Sequence, residues 1–151
     1  MIHIAVVEDE QAYVEQLTEY IARFQEEFSQ EMKVTVFSDG DEIAEDYRAD
    51  YDIILMDIQM RFMDGMTAAE RIRELDRDVV IMFITNMTSY AVKGYEVDAL
   101  DYIVKPVEYF SFSRKLLRAM ERVKKKEESY LMIPVESGIQ KLAVGEIYYV
   151  E

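Results

Sequence analysis

Cysteine is absent from these 151 residues, which excludes a disulfide framework, a thiolate zinc site and a cysteine nucleophile. Also missing is any apolar run near the roughly 20 residues needed to cross a bilayer. The opening Met1-Ile2-His3-Ile4 has no basic stretch followed by a long apolar one, so no signal peptide is expected. A soluble, cytoplasmic chain is the expectation. Positive charge is scarce: 17 Lys and Arg stand against 31 Asp and Glu, for a net charge of −14. That balance argues against non-specific nucleic-acid binding by this chain alone. Seven of the 17 basic residues crowd into one late segment: Arg114, Lys115, Arg118, Arg122, Lys124, Lys125 and Lys126. They read first as the solvated face of a helix rather than as a DNA-binding patch.

What is abundant is apolar: 50% of the residues are hydrophobic, enough for a folded domain with a sizeable core and a short addition. The ten Met residues read as core filler. The nearly all apolar run Ile2–Val7 predicts a strand covered on both faces, and His3 within it reads as a strand residue. Val14, Leu17, Ile21, Phe24 and Phe28 recur at three- and four-residue spacing and predict an amphipathic helix. Val34–Phe37 predicts a second strand. Asp39-Gly40 turns the chain into a helix carrying Ile43, Ala44 and Tyr47. Ile53–Met56 predicts a third strand, and Asp64-Gly65 a turn into a helix with Ala69, Ile72 and Leu75. Val79–Ile84 predicts a fourth strand, 89–95 a weak helix, Leu100–Val104 a fifth strand, and Phe112, Leu116, Met120 and Val123 a last helix. Five strands alternating with five helices imply an α/β fold, a doubly wound parallel sheet with right-handed crossovers.

The strand ends carry the chemistry. Val7 runs into Glu8-Asp9, Met56 into Asp57, Ile84 into Thr85 and Val104 into Lys105-Pro106. Open parallel sheets bind ligands beyond the carboxyl ends of their strands, where strand order reverses. Taken singly, each residue has a plain reading: Glu8-Asp9 as acids opening a helix, Asp57 as a cap or turn residue, Thr85 as a strand end, Lys105-Pro106 as a turn. Taken together they suit one chemistry. Clustered carboxylates favour their neutral forms unless a cation is near, and two or three carboxylates suit Mg²⁺. Asp57 would then be a nucleophile forming an aspartyl phosphate, with Thr85 and Lys105 stabilising the phosphoryl oxygens.

Glu8-Asp9, Asp57-Ile-Gln-Met-Arg-Phe-Met-Asp-Gly65, Thr85 and Asp101-Tyr-Ile-Val-Lys-Pro106 occur in the order and spacing of a known family. Over about residues 1–125 the chain resembles the receiver domain of two-component response regulators. The resemblance implies a flavodoxin-like sheet of strand order 2-1-3-4-5. It implies that Asp57 accepts a phosphoryl group from a sensor histidine kinase, and that Glu8, Asp9, Asp57 and the backbone carbonyl of Gln59 hold Mg²⁺. Thr85 and Tyr102 would form the switch pair, although Tyr102 alone reads as ordinary strand packing. The Lys105-Pro106 bond is cis in the family pattern, as X–Pro bonds alone permit at modest cost. Such a domain is no enzyme, though it assists its own phosphorylation and autodephosphorylation. It commonly dimerises when phosphorylated. Two positions depart from the pattern: Arg61 stands where receivers usually have Pro, loosening the expected loop, and Asn86 stands where most have a small residue. Gln59 and Met87 are positions that tune the lifetime of the phosphoryl group.

After Lys126 the rhythm breaks. Residues 126–130 read as a linker, and Leu131–Val135, Ile139–Val144 and Ile147–Val150 as short strands. With Tyr90–Pro106, this tail resembles regulators carrying a LytTR-type DNA-binding domain, of which residues 131–151 would be the truncated start. Some 20 residues cannot bury a core of their own. The intact protein would control transcription at promoter DNA, whereas this chain alone would not bind it.

Three other functions fit less well. A haloacid-dehalogenase-type phosphatase also uses a strand-end Asp, but it needs a second Asp where this chain has Gln59. A pseudo-receiver would lack part of the set Glu8, Asp9, Asp57, Thr85 and Lys105. A flavin carrier would need a Ser/Thr/Gly-rich loop in place of Glu8–Ala12.

Overall fold

The structure is a computed structural model that describes residues 1–86 and 96–132. Five parallel strands form one sheet: β1 (Ile2–Val7), β2 (Met32–Phe37), β3 (Ile53–Met56), β4 (Val80–Thr85) and β5 (Asp101–Val104). They stand in the order β2-β1-β3-β4-β5, as the resemblance implied. The described helices are α1 (Gln11–Phe28), α2 (Gly40–Ala44), α3 (Gly65–Leu75) and α4 (Tyr109–Met132).

The two-residue period of the strands sorts the core into two layers. Ile4, Val6, Leu55, Met82 and Ile84 face Leu17, Ile21 and Phe24 of α1 and Phe112, Leu116 and Met120 of α4. Their neighbours Ala5, Val7, Ile54, Met56, Ile81 and Phe83 face Ile43 of α2 and Ala68, Ala69 and Ile72 of α3. Each fully buried Leu, Ile or Phe contributes about 1.5–3 kcal/mol, so a one-residue register slip would forfeit both layers. Register aligns the strand ends: Val7 pairs with Met56 and Met56 with Phe83.

Several elements differ from expectation. Strand β2 starts at Met32 rather than Val34, because Gln25 Oε1 accepts the Met32 N–H at 3.0 Å and Ile2 pairs with Met32. Helix α2 ends at Ala44, so Tyr47 lies beyond it and donates to Asp76 Oδ2 at 2.7 Å. The last helix runs on through residues 126–130, expected as a linker, and through Leu131 and Met132, expected to open a strand. Nothing from Tyr109 to Met132 breaks it: the segment lacks Gly and Pro and is rich in Lys, Arg and Glu. The weak helix expected over 89–95, Met87, and the strands expected after Met132 lie outside the described residues. His3 is a β1 residue, with Nε2 2.8 Å from Thr35 Oγ1. The basic residues of α4 partly pair at home: Arg118 donates to Asp101 Oδ2 at 2.6 Å and Lys115 to the Tyr102 carbonyl at 2.7 Å.

Candidate functional site

Sheet order reverses between β1 and β3, the strand ends that carry Glu8-Asp9 and Asp57. The Asp57 N–H donates to the Val7 carbonyl at 3.0 Å, which extends the β1–β3 ladder by one residue and fixes the carboxylate at that switch point. Asp57 is buried, with 6% of its surface exposed. Its Oδ1 accepts from the Ile58 N–H at 2.7 Å, and its Oδ2 lies 3.0 Å from Lys105 Nζ. Behind it Gly65 is obligatory, since a Cβ there would sit 2.1 Å from the Asp57 carbonyl oxygen.

Among the described residues, Lys105 is the cation paired with the Asp57 and Glu8 carboxylates. Its Nζ is 3.0 Å from Asp57 Oδ2, 3.0 Å from Glu8 Oε1 and 3.7 Å from Glu10 Oε1, and it lies 3.9 Å from the centroid of the Tyr13 ring. Burial by itself would lower the pKa of the ammonium, but Asp57 and Glu8 outweigh it and push it up. The Lys105–Pro106 bond that delivers it is cis.

Glu8 is 2% exposed. Burial, reinforced by the charge of Asp57, pushes its carboxyl up to about 7, against the opposing pull of Lys105 and the Glu10 N–H. Oε2 accepts that N–H at 3.1 Å. Oε1 is ion-paired with Lys105 but is not aligned to accept a hydrogen bond, so it is a buried oxygen without a donor.

Glu8, exposed Asp9 and Asp57 offer carboxylate oxygens that all lie within 4.8 Å of one another. An all-oxygen, multiply charged set with one donor-less oxygen fits a hard divalent cation. Gln59 is exposed on the loop after Asp57, and its N–H is 3.4 Å from Asp57 Oδ1.

Thr85 is buried at the end of β4, and Tyr102 is half-buried on β5 with its ring 5.4 Å from that of Phe83. Asn86, the residue after Thr85, is exposed.

The structure adds residues that sequence reasoning passed over. Asp39, read as a turn residue, is buried, and its two oxygens accept the N–H groups of Phe62 at 3.0 Å and Met63 at 2.8 Å. Burial opposes its ionisation, but the N–H groups of Phe62, Met63, Asp41 and Gly40 hold its pKa below the ordinary carboxylate value. This clamp fastens the loop in which Arg61 replaces the expected Pro. Nothing local in the sequence links position 39 to 62 and 63. Tyr13 and Glu10 likewise enter only because α1 starts beside β5's end.

The family model for the response regulator receiver domain matches residues 4–120. Among curated relatives, the transcriptional regulatory protein NatR of Bacillus subtilis is 29% identical over 160 residues, covering 100% of this chain and 64% of NatR. The sensory transduction protein LytR of Streptococcus agalactiae is 30% identical over 148 residues, covering 95% of this chain and 56% of LytR. The chain thus spans under two thirds of the length of these relatives. Among solved structures, the response regulatory domain of protein mrkE from Klebsiella pneumoniae superposes with a TM-score of 0.73 at 25% identity, covering 82% of this chain and 99% of that one. The response regulator TrrA of Thermotoga maritima, solved in complex with Mg²⁺ and beryllofluoride, superposes with a TM-score of 0.67 at 26% identity, covering 79% and 99%.

Proposed function

The chain belongs to the response regulator receiver domain family, and from that premise we propose that Asp57 takes up a phosphoryl group from a sensor histidine kinase. A carboxylate oxygen of Asp57 attacks phosphorus. The P–N bond of the donor phosphohistidine breaks, its electron pair stays on the imidazole nitrogen, and that nitrogen takes up a proton. The observation that carries this reading is the setting of Asp57: a buried strand-end carboxylate with Oδ2 3.0 Å from Lys105 Nζ, clustered with Glu8 and Asp9. Catalytic help comes from positioning and fixed charge. Lys105 stands ready to neutralise a phosphoryl oxygen, and Thr85 offers a hydroxyl at the neighbouring strand end.

Glu8, Asp9, Asp57 and the Gln59 carbonyl would hold Mg²⁺. When bound, that ion supplies charge neutralisation among the carboxylates and on the incoming phosphoryl group. Its absence would leave Glu8 competing with Asp57 for the single ammonium of Lys105.

In this reading residues 1–125 are the receiver and Thr85 and Tyr102 its switch pair. Residues 126–130 join it to a LytTR-type output domain that begins near 131. The phosphorylated form dimerises, and the full-length protein controls transcription at promoter DNA from the cytoplasm. The length of the relatives and the LytR resemblance support that larger assignment.

Incubation with Mg²⁺ and acetyl phosphate is expected to add one hydroxylamine-labile phosphate. Equal labelling of an Asp57→Asn variant would show the assignment of the acceptor to be wrong. Sedimentation with and without beryllofluoride tests dimerisation, and unchanged sedimentation counts against it.

A further inference from the structure

The Tyr13 ring covers Lys105, the cation that the described residues bring to the site, a role that neither Mg²⁺ binding nor phosphate acceptance requires. Lys105 Nζ is 3.9 Å from its centroid, within the range of a cation–π contact. The ring comes from the first turn of α1, whereas Lys105 ends β5 on the other side of the switch point. The Lys105 side chain is only 7% exposed, with two carboxylates on one side and the aromatic face on another.

We propose that Tyr13 is a positioning residue that holds the Lys105 ammonium over the acceptor carboxylate. The inference rests on the reading of Asp57 as phosphate acceptor. An aromatic face suits the task for a physical reason. It attracts the cation and sheds water without taking a directed hydrogen bond, so the N–H donors stay available. A carboxylate in the same place would compete with the incoming phosphoryl oxygens for those donors. Glu10, whose Oε1 is 3.7 Å away and solvent-exposed, offers the alternative resting place to which an unrestrained ammonium would swing. In that position Nζ would be drawn away from Asp57 Oδ2.

The test uses the whole 151-residue chain as wild type, Tyr13→Phe and Tyr13→Leu. Phe keeps the face and removes the hydroxyl, while Leu keeps the bulk and removes the face. In the metal-free protein, NMR is expected to show the Lys105 Cε protons shifted upfield by the ring in wild type and Tyr13→Phe, with the shift lost in Tyr13→Leu. With Mg²⁺ and acetyl phosphate, the limiting labelling rate is expected to fall by about threefold to thirtyfold in Tyr13→Leu, the range such a contact supplies. Half-saturation by the donor should hardly change, and Tyr13→Phe should stay within about threefold of wild type. Three results overturn the proposal: no upfield shift in wild type, Tyr13→Leu labelled within about threefold of wild type, or equal losses in the Phe and Leu variants. If wild type takes no label at all, the acceptor reading itself fails, and the ring shift still reports whether Tyr13 holds Lys105.

Discussion

Replacing Glu8 by Gln should stabilise this protein at neutral pH, although Glu8 sits among the residues proposed to hold Mg²⁺. Glu8 and Asp57 are both buried and share the ammonium of Lys105, which is 3.0 Å from each. The Glu8 carboxyl is pushed from its ordinary value near 4.5 up to about 7, chiefly by burial and then by Asp57. The folded state therefore binds the Glu8 proton more tightly than the unfolded state does. Between those two values folding is coupled to proton uptake, so stability falls as pH rises from about 4.5 to about 7 and then levels off. The shift corresponds to a penalty of about 3 kcal/mol once Glu8 is ionised.

Gln cannot ionise, and it retains an oxygen near the Glu10 N–H. At pH 7.5 without Mg²⁺, Glu8→Gln should recover about 1–3 kcal/mol, less whatever its pairing with Lys105 contributed. For a domain of this size that is about 3–10 °C in Tm. Thermal melts of both proteins at half-unit steps from pH 5 to pH 8 measure the effect. The gap should be smallest at pH 5, under about 1 kcal/mol, and widen as pH rises towards 7. Mg²⁺ should raise the wild-type Tm at pH 7.5 more than that of the variant, because a bound cation offsets the same repulsion. A Glu8→Gln protein less stable than wild type at pH 7.5, or a difference independent of pH, would refute the reasoning.

Asp39→Ala should cost about 2–4 kcal/mol, since it strips two buried N–H groups of a charged acceptor; hydrogen exchange at Phe62 and Met63 should accelerate well beyond that of the sheet. Because the Asp39 pKa is depressed, the stability it contributes is present above the unfolded carboxylate value near 3.8 and is lost as pH falls through its folded value. Wild type minus Asp39→Asn stability, followed by urea titration in acid, checks that sign. Gly65→Ala should destabilise by about 2 kcal/mol or more and slow phosphate labelling, because its Cβ would strike the Asp57 carbonyl; unchanged melts and labelling would contradict the packing. Arg73 donates to the carbonyls of Val97 at 2.6 Å, Val79 at 2.6 Å and Asp98 at 3.1 Å. Arg73→Lys keeps the charge but cannot reach all three, and should cost about 2–3 kcal/mol in urea denaturation.

Most of the fold was readable in the sequence because period carries it. Ile2–Val7 is apolar but for His3 and Val79–Ile84 is apolar throughout, each ending at polar residues, and such runs have few options besides a doubly covered strand. The 3.6-residue spacing of Leu17, Ile21 and Phe24 likewise leaves little choice. The last helix was cut short because a Lys/Glu segment resembles a linker in composition, while its actual helicity depends on the absence of breakers. The strand-end residues Glu8, Asp57, Thr85 and Lys105 were recognisable as site candidates because the topology of a parallel sheet gathers such ends on one side.

The sequence by itself determined the sheet, the layers and the identity of the charged groups, since these follow from local pattern and chain order. Only the tertiary structure decided how those charges share one another. That Lys105 answers to both Glu8 and Asp57, that Tyr13 covers it, and that Asp39 fastens the loop at Phe62 and Met63 are contacts between residues 23 to 97 positions apart. Hydrogen bonds and buried ion pairs depend on distances of about 3 Å and on the water excluded around them. Neither quantity exists until the chain has folded.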